Sequence, residues 1–252
     1  MAGHSKWANI KRRKGAQDAK RAKQFTRILK EISIAVKEGG NADPDANPRL
    51  RLAIANAKGV NMPKDNINRA IKKASDKDSE NYSEVTYEGY GPAGIALFVE
   101  TTTDNINRTV SNVRAIFTKY GGSLGTNGSL EFIFDRKGVF TIPLEKIADR
   151  DLDEFEMDLI DGGAEEVERE EDFVTVYTSF EDFGNMQKKL EELEIEAENQ
   201  ELQRIPNSTQ AVSLEDGQKI LNIIDKFEED DDVNTVYHNM EMTEELVASL
   251  EN

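Results

Sequence analysis

The chain has 252 residues, and its 49 acidic and 32 basic side chains give a formal net charge of −17. It contains no cysteine and only two histidines, His4 and His238, at opposite ends of the sequence. This composition excludes disulfides, thiolate nucleophiles and zinc–cysteine sites, and it leaves a histidine-based catalytic centre without support.

The charge is distributed unevenly along the sequence. Residues 1–75 contain 18 basic and 6 acidic side chains, a net charge of +12, so the remaining residues carry −29. We therefore expect two surfaces with different partners. No apolar run approaches the roughly 20 residues of a membrane span, and no apolar segment follows the basic start, so we expect a cytoplasmic protein. The length favours two or three domains.

The sequence pattern of residues 1–76 predicts a basic bundle of three short helices. Apolar residues spaced three and four apart mark the first helix, in a stripe made of Ala22, Phe25, Leu29, Ile32 and Val36. The glycines of "EGGNADPDANP" end this helix, and Asn47-Pro48 predicts an N-cap and first turn for the second. A third stripe follows Pro63 and consists of Ile67, Ala70, Ile71 and Ala74.

After a polar linker, the apolar period changes from helical to strand-like. Strands are predicted in "EVTYEGYGPAGIALFVETTT", "SLEFIF", "GVFTIP", "FVTVYTS", residues 196–205, residues 209–213 and "VNTVYHNM". Helices are predicted after Asp104, which we expect to be the N-cap, and near 150–161, 182–194 and 215–229. Strands and helices that alternate with short connections predict α+β domains, compatible with ferredoxin-like split βαβ units.

Gly89, Gly91 and Gly94 match the spacing of a phosphate-binding glycine loop. In a dinucleotide-binding fold the third glycine opens a helix, whereas here the strand-like "IALFVE" follows. Asp182-Phe183-Gly184 reproduces a kinase motif, but the chain lacks the accompanying H-R-D and A-P-E. We therefore interpret the glycines as a tight hairpin that needs residues tolerant of positive φ.

Carboxylates are concentrated in two stretches. Residues 149–172 contain 13 acidic side chains, and "EEDDD" occupies 228–232. Neither stretch has the desolvating surroundings that raise a pKa for acid–base catalysis, and no glycine-punctuated calcium loop is present. We interpret them as solvated surface, with a divalent metal site on "EEDDD" as the weaker alternative, and expect no enzyme, cofactor or metal.

The basic residues lie opposite the apolar stripes. On the first helix, Lys20, Lys23, Arg27, Lys30 and Lys37 centre about 150° from the stripe. On the third, Arg69, Lys72 and Lys73 lie opposite Ile67 and Ala70. The preceding segment adds Lys6, Lys11, Arg12, Arg13 and Lys14.

This layout indicates a polyanionic partner, because unpaired cations repel one another and neutralised phosphates release counterions. Lysines on a ridge contact backbone phosphates rather than base edges, so we expect weak sequence preference. Trp7 is interpreted as a core anchor, with stacking on an unpaired base as the alternative.

The chain resembles the YebC/PmpR family, which includes the mitochondrial translational activators of cytochrome oxidase. The resemblance covers essentially the whole chain, through "GHSKWANIKRRK", "NMPKDNINRAIKKA", "YEGYGPAGIAL", "TDNINRT", "GGSLGTNGSLEFIF", "GAEEVE" and "DDVNTVYHN". It implies a helical bundle followed by two α+β domains, one inserted in the other. The boundaries we expect are 1–76 for the bundle, 82–134 plus 206–241 for the second domain, 135–205 for the acidic insertion, and 242–252 for a tail.

The resemblance also implies function. Family members are described as probable DNA-binding transcriptional regulators, and others act on the ribosome during translation of difficult, proline-rich sequences. By position, it supports Lys6, Trp7, Lys11, Arg12, Arg13 and Lys14 as the nucleic-acid-facing segment. It marks Asp104, Asn105 and Arg108 as a family signature without an assigned role, for which a capped helix start is the structural alternative.

Three classes of function therefore stay open. The first is a non-enzymatic regulator that binds nucleic acid, either DNA or ribosomal RNA. The second is an acidic adaptor whose basic helix binds a negatively charged protein, or whose acidic domains bind a protein partner. The third, an enzyme that uses the glycine turn, has the least support.

Overall fold

The computed structural model describes residues 17–76, 79 and 81–251, and the side chains of 22–76, 79 and 81–249. Within these residues the chain forms eight α-helices and eight strands. In chain order they are α1 (Gln17–Gly39), α2 (Pro48–Gly59), α3 (Lys64–Ser75), β1 (Ser83–Tyr90), β2 (Ala96–Thr103), α4 (Ile106–Lys119), β3 (Ser123–Leu124), β4 (Phe134–Pro143), α5 (Leu152–Asp161), β5 (Ala164–Arg169), β6 (Phe173–Ser179), α6 (Phe183–Glu192), β7 (Asn199–Pro206), α7 (Leu214–Glu229), β8 (Val233–His238) and α8 (Glu244–Glu251).

The three predicted helices of the N-terminal region are confirmed. Their apolar stripes meet in one core, in which Ile32, Leu50 and Ile67 are buried. Asn47 is the N-cap of α2: its side chain accepts a hydrogen bond from the Leu50 amide at 3.0 Å, and Pro48 occupies the first turn. The side-chain NH2 group of Asn47 also donates to the Ala35 carbonyl at 2.7 Å, so one buried side chain joins the last part of α1 to the start of α2.

The described chain divides into two compact units. Unit 1 comprises 17–24, 81–135 and 205–251, and unit 2 comprises 25–79 and 136–204. The first sheet, in unit 1, has the strand order β3-β1-β2-β8, with β1, β2 and β8 paired antiparallel. Helices α4, α7 and α8 supply the other half of its core through residues such as Phe117, Phe227 and Leu246.

The second sheet lies in unit 2 and has the order β5-β6-β4-β7. The elements from β4 to β7 follow in the order βαββαβ, which is the ferredoxin-like arrangement, and the α+β class is therefore confirmed. Phe140, Phe155 and Leu190 represent the core between this sheet and α5 and α6.

Within unit 2 the helical bundle packs against β7. The Asn56 side chain donates to the Gln200 carbonyl and accepts from the Gln200 amide, each at 2.9 Å. Asn56 is buried, and a Cβ added to Gly59 would meet the backbone of Glu198, so α2 approaches the segment at the start of β7 closely. The three-domain boundaries stay a prediction.

Two predicted strands were wrong, and two short strands were missed. "SLEFIF" begins as a 3₁₀ turn at Glu131–Ile133, because the burial of Leu130 and Phe134 sets a spacing of four residues rather than two. Residues 209–213 form a single bridge, Gln210 to Met240, instead of a strand. Strands β3 and β5 were not predicted. The predicted C-terminal tail contains α8, whose Leu246 packs in the core of unit 1.

Candidate nucleic-acid interface

Part of the predicted interface lies outside the described residues. Lys6, Trp7, Lys11, Arg12, Arg13 and Lys14 all precede residue 17. Lys20 lies in α1, but its side chain is also outside the described part of the chain. The geometry of the interface is therefore built from α1 beyond residue 21, α2 and α3.

The predicted cations of α1 are half-buried. Lys23 donates to the backbone carbonyl of Asp230 at 3.0 Å. Arg27 forms an ion pair with Glu31 at 3.1 Å and a second with Glu201 of β7 at 2.8 Å. Burial raises the pKa of Glu31, and Glu201 adds to this rise while Arg27 opposes it. Arg27 therefore also holds α1 against the sheet of unit 2.

The predicted cations of α3 are exposed. Arg69, Lys72 and Lys73 occupy positions i, i+3 and i+4, so they share one face of the helix. The opposite side is anchored by the buried Ile67 and Ala74. The Arg69 guanidinium donates locally, to the Asp65 carbonyl at 3.2 Å and the Asn66 side chain at 2.5 Å, which orients it along the helix surface.

The sequence prediction omitted two exposed lysines. Lys58 lies near the end of α2 and Lys64 opens α3, at opposite ends of the connection formed by 60–63. Asn61 has φ 56° in this connection, and the Met62 amide donates to the Ala57 carbonyl at 2.8 Å, so the turn is tight. The exposure of both lysines could have been predicted from the sequence, because a basic side chain at the end of a helix reaches solvent whichever face of the helix is apolar.

The signature residues Asp104, Asn105 and Arg108 surround the start of α4. Asn105, not the predicted Asp104, is the N-cap, and its side chain accepts from the Arg108 amide at 3.1 Å. Asp104 instead accepts from the Arg108 guanidinium at 2.7 Å. The prediction chose the wrong member of an Asp-Asn pair, since both residue types cap helices equally well.

Asp232, which the sequence prediction missed, completes this cluster. Its carboxylate is 8% exposed and accepts from Arg108 at 2.7 Å, from the Thr109 hydroxyl at 2.9 Å and from the Thr103 hydroxyl at 3.1 Å. Burial alone would raise the pKa of Asp232, but these hydrogen bonds outweigh it and hold this pKa below its ordinary value. A carboxylate saturated in this way stays ionised and joins α4 to the segment before β8.

The glycine turn is a hairpin, as predicted. β1 and β2 pair antiparallel, the Gly91 amide donates to the Ile95 carbonyl at 2.8 Å, and Ala93 and Gly94 adopt φ values of 55° and 75°. Gly89 has a different role, because a Cβ there would collide with the Ser123 carbonyl and the Phe117 ring. No helix opens at the third glycine, so the arrangement lacks the helix N-terminus of a dinucleotide site.

A buried carboxylate organises the loop that follows β3. Glu88 is 2% exposed and accepts from the backbone amides of Gly128 at 2.7 Å and Leu130 at 2.5 Å. The loop therefore has a fixed conformation, and Phe132 emerges from it 74% exposed. Nothing in the residues around Glu88 predicts that its side chain points inward.

Two features are absent from the described residues. None of their His, Asp and Glu side chains form a group of three or more suited to a metal ion. Likewise, none of the helices that the structure describes is long and apolar enough to cross a membrane.

The chain is similar to known proteins along its whole length. Residues 5–77 match the family described as the TACO1/YebC protein N-terminal domain, and residues 82–240 match the TACO1/YebC second and third domain. A probable transcriptional regulatory protein of Amoebophilus asiaticus is 52% identical over 95% of this chain and 98% of its own length. One from Chlorobaculum parvum is 48% identical over 100% of this chain and 99% of its own. The crystal structure of a conserved hypothetical protein from Aquifex aeolicus superposes with a TM-score of 0.81 at 40% identity, over 91% of this chain and 93% of that one.

Proposed function

The chain belongs to the TACO1/YebC family, and from this premise we propose that it regulates gene expression by binding nucleic acid through its basic N-terminal region. The relatives named above are called probable transcriptional regulatory proteins, which supports a regulatory role. The proposal adds the mode of action: a non-enzymatic, DNA-binding protein of the cytoplasm.

The observation that carries the proposal is the exposed basic face of α3. Arg69, Lys72 and Lys73 project from a helix whose opposite side is fixed in the bundle core. Residues 1–75, which contain this helix, have a net charge of +12. Such a surface attracts phosphates along a nucleic-acid backbone, and it gains affinity from the counterions that are released. Lys58 and Lys64 extend the exposed positive charge beyond the predicted set.

A second candidate within this proposal is a ribosome-associated factor that contacts ribosomal RNA and relieves stalling on proline-rich sequences. Lysines that contact phosphates discriminate little between sequences, and structured RNA is recognised mainly through shape and backbone. The family resemblance supports this candidate as well as the DNA-binding one. An acidic adaptor without nucleic acid is the third possibility, and we rank it below both.

Crosslinking in cells, followed by sequencing of the bound DNA and RNA, distinguishes the candidates. The experiment compares the natural chain with Arg69→Ala/Lys72→Ala/Lys73→Ala, expressed at the same level. We expect DNA reads that the triple substitution removes. Ribosomal RNA reads that depend on the same residues would favour the ribosome-associated factor over the DNA-binding regulator. Ribosome profiling of a deletion strain should then show pauses at particular peptide motifs.

If neither nucleic acid is recovered above background, the nucleic-acid proposal fails. Partners that stay attached after nuclease treatment would then support the adaptor.

A further inference from the structure

Helix α5 has apolar residues on both its inner and its outer side. Phe155 and Leu159 are buried in the core of unit 2. On the outer side, Met157 is 67% exposed and Ile160 is 57% exposed. Asp153, Met157, Ile160 and Asp161 follow one another at i, i+4, i+7 and i+8, so they form one solvent-facing surface, the α5 outer face.

The exposure of Met157 is unusual within this protein. Four other methionines, Met62, Met186, Met240 and Met242, lie in the described residues, and each is at most 5% exposed. A lone exposed apolar residue needs no explanation, but two adjacent ones in the centre of a helix face leave a contiguous apolar surface in water. Methionine is also the residue that adapts most readily to different partners.

The surroundings of the α5 outer face are strongly acidic. Residues 136–204 contain 22 acidic and 8 basic side chains, a net charge of −14. Two of the eight basic residues pair with carboxylates of α5: Arg169 contacts Asp153 at 2.9 Å and Glu156 at 2.6 Å, and Lys189 contacts Asp158 at 3.3 Å. Glu154 and Asp161 are exposed beside the apolar pair.

We propose that the α5 outer face binds a cationic amphipathic helix of a partner protein. Met157 and Ile160 would pack between the apolar side chains of that helix, and the flanking carboxylates would pair with its lysines and arginines. A nucleic acid or an anionic lipid surface does not fit, because the net charge of −14 repels phosphate. The inference goes beyond the proposed function and does not depend on it.

Methyl NMR with ε-¹³C-methionine tests the proposal on the full-length chain. The probe is a synthetic amphipathic helical peptide of leucine and lysine, and the matched control peptide has the same composition in scrambled order. Assignment of the Met157 signal by Met157→Leu identifies the reporter. We expect the Met157 methyl signal to shift with the amphipathic peptide while the signals of the four buried methionines stay in place.

A titration at about physiological ionic strength measures the contribution of the apolar pair. Met157→Gln/Ile160→Gln should weaken peptide binding about tenfold or more, since two anchors lose their burial while helix propensity is kept. Ile106→Gln, at an apolar residue of α4 that is 48% exposed, should leave the affinity unchanged.

Four results would overturn the proposal. The first is an unmoved Met157 signal, and the second is equal binding of the double variant or of the scrambled peptide, which would reduce the interaction to charge alone. The third is a Met157 signal that moves in the free protein when Lys11, Arg12, Arg13 and Lys14 become alanine, which would assign the face to the chain's own basic segment. The fourth is concentration-dependent self-association that Met157→Gln/Ile160→Gln abolishes, which would assign the face to a second copy.

Discussion

Replacement of Arg69, Lys72 and Lys73 by alanine removes three exposed positive charges from one face of α3. Alanine is the best helix former, and surface substitutions of this kind usually change stability by less than about 0.5 kcal/mol, so the bundle should stay folded. The expected consequence is electrostatic. Each phosphate neutralised on duplex DNA contributes about −0.9 to the slope of log affinity against log salt concentration, so three lost contacts should flatten the slope by about 2.7.

This change in slope converts into a measurable difference in affinity. Between about 50 and 200 mM salt, each phosphate contact weakens binding about 3.5-fold, so the loss of affinity over this range should be about 40-fold smaller for the triple variant than for the natural chain. Fluorescence anisotropy of a labelled duplex, titrated at several salt concentrations, measures both slopes.

The matched control is Lys146→Ala/Lys188→Ala/Lys219→Ala. It removes three exposed positive charges from helices or turns outside the bundle, and so it changes the net charge equally. Its slope should equal that of the natural chain. Equal slopes for the natural chain and the α3 variant would show that this face does not contact phosphate, whereas equal flattening in both variants would show that net charge alone controls binding.

Three further predictions concern the buried polar contacts. Asp232→Asn should lower the free energy of unfolding by about 2 kcal/mol at neutral pH. Because folding lowers the pKa of Asp232, this stabilisation is present above the pKa of an unfolded aspartate, about 3.9, and disappears as the pH falls through the folded pKa. The free energies of unfolding of the two proteins, measured in urea, should therefore converge in acid. Glu88→Gln replaces one of the two carboxylate oxygens by an NH2 group, so either the Gly128 amide or the Leu130 amide loses its acceptor. A loss of about 2 kcal/mol should speed hydrogen exchange in this loop about 30-fold while α3 exchanges as before; unchanged rates would contradict the anchoring role of Glu88. Asn56→Ala leaves the backbone amide and carbonyl of Gln200 unpaired and should destabilise unit 2 by about 2–3 kcal/mol in urea unfolding. A loss below about 0.5 kcal/mol would mean that this contact does not hold α2 to β7.

Local features of the fold could be predicted because neighbouring residues determine them. The stripe of Ile67, Ala70 and Ala74 and the Asn47-Pro48 cap depend on residues within a few positions of each other, and both are observed. The β1–β2 hairpin was equally predictable, from a glycine-rich turn between two apolar runs.

Contacts between distant parts of the sequence could not be predicted. Asn56 lies beside an apolar stripe, and nothing near it indicates that its partner is Gln200. The pairing of Arg27 with Glu201 was hidden for the same reason, since in sequence Arg27 is one more cation on a basic helix. Asp232 was hidden at the end of an acidic run, 228–231, in which no residue is buried.

Strand β5 was missed for a different physical reason. It is the edge strand of its sheet, paired only with β6, and its sequence "AEEVER" is mainly charged. Charged edge strands are common because they discourage pairing with other molecules. Their sequences show little of the alternation of apolar and polar residues that predicts a strand. The exposed basic face of α3 was predictable in outline, whereas Lys58 and Lys64 required the helix ends to be located.

The most direct test of a nucleic-acid-binding N-terminal region is photo-crosslinking of the purified full-length chain to duplex DNA and to structured RNA, with the crosslinked peptides identified by mass spectrometry. Crosslinks should fall within residues 1–75, which have a net charge of +12, and should be absent from 136–204, which have a net charge of −14. Crosslinks confined to 136–204, or none at low salt with either nucleic acid, would contradict the account.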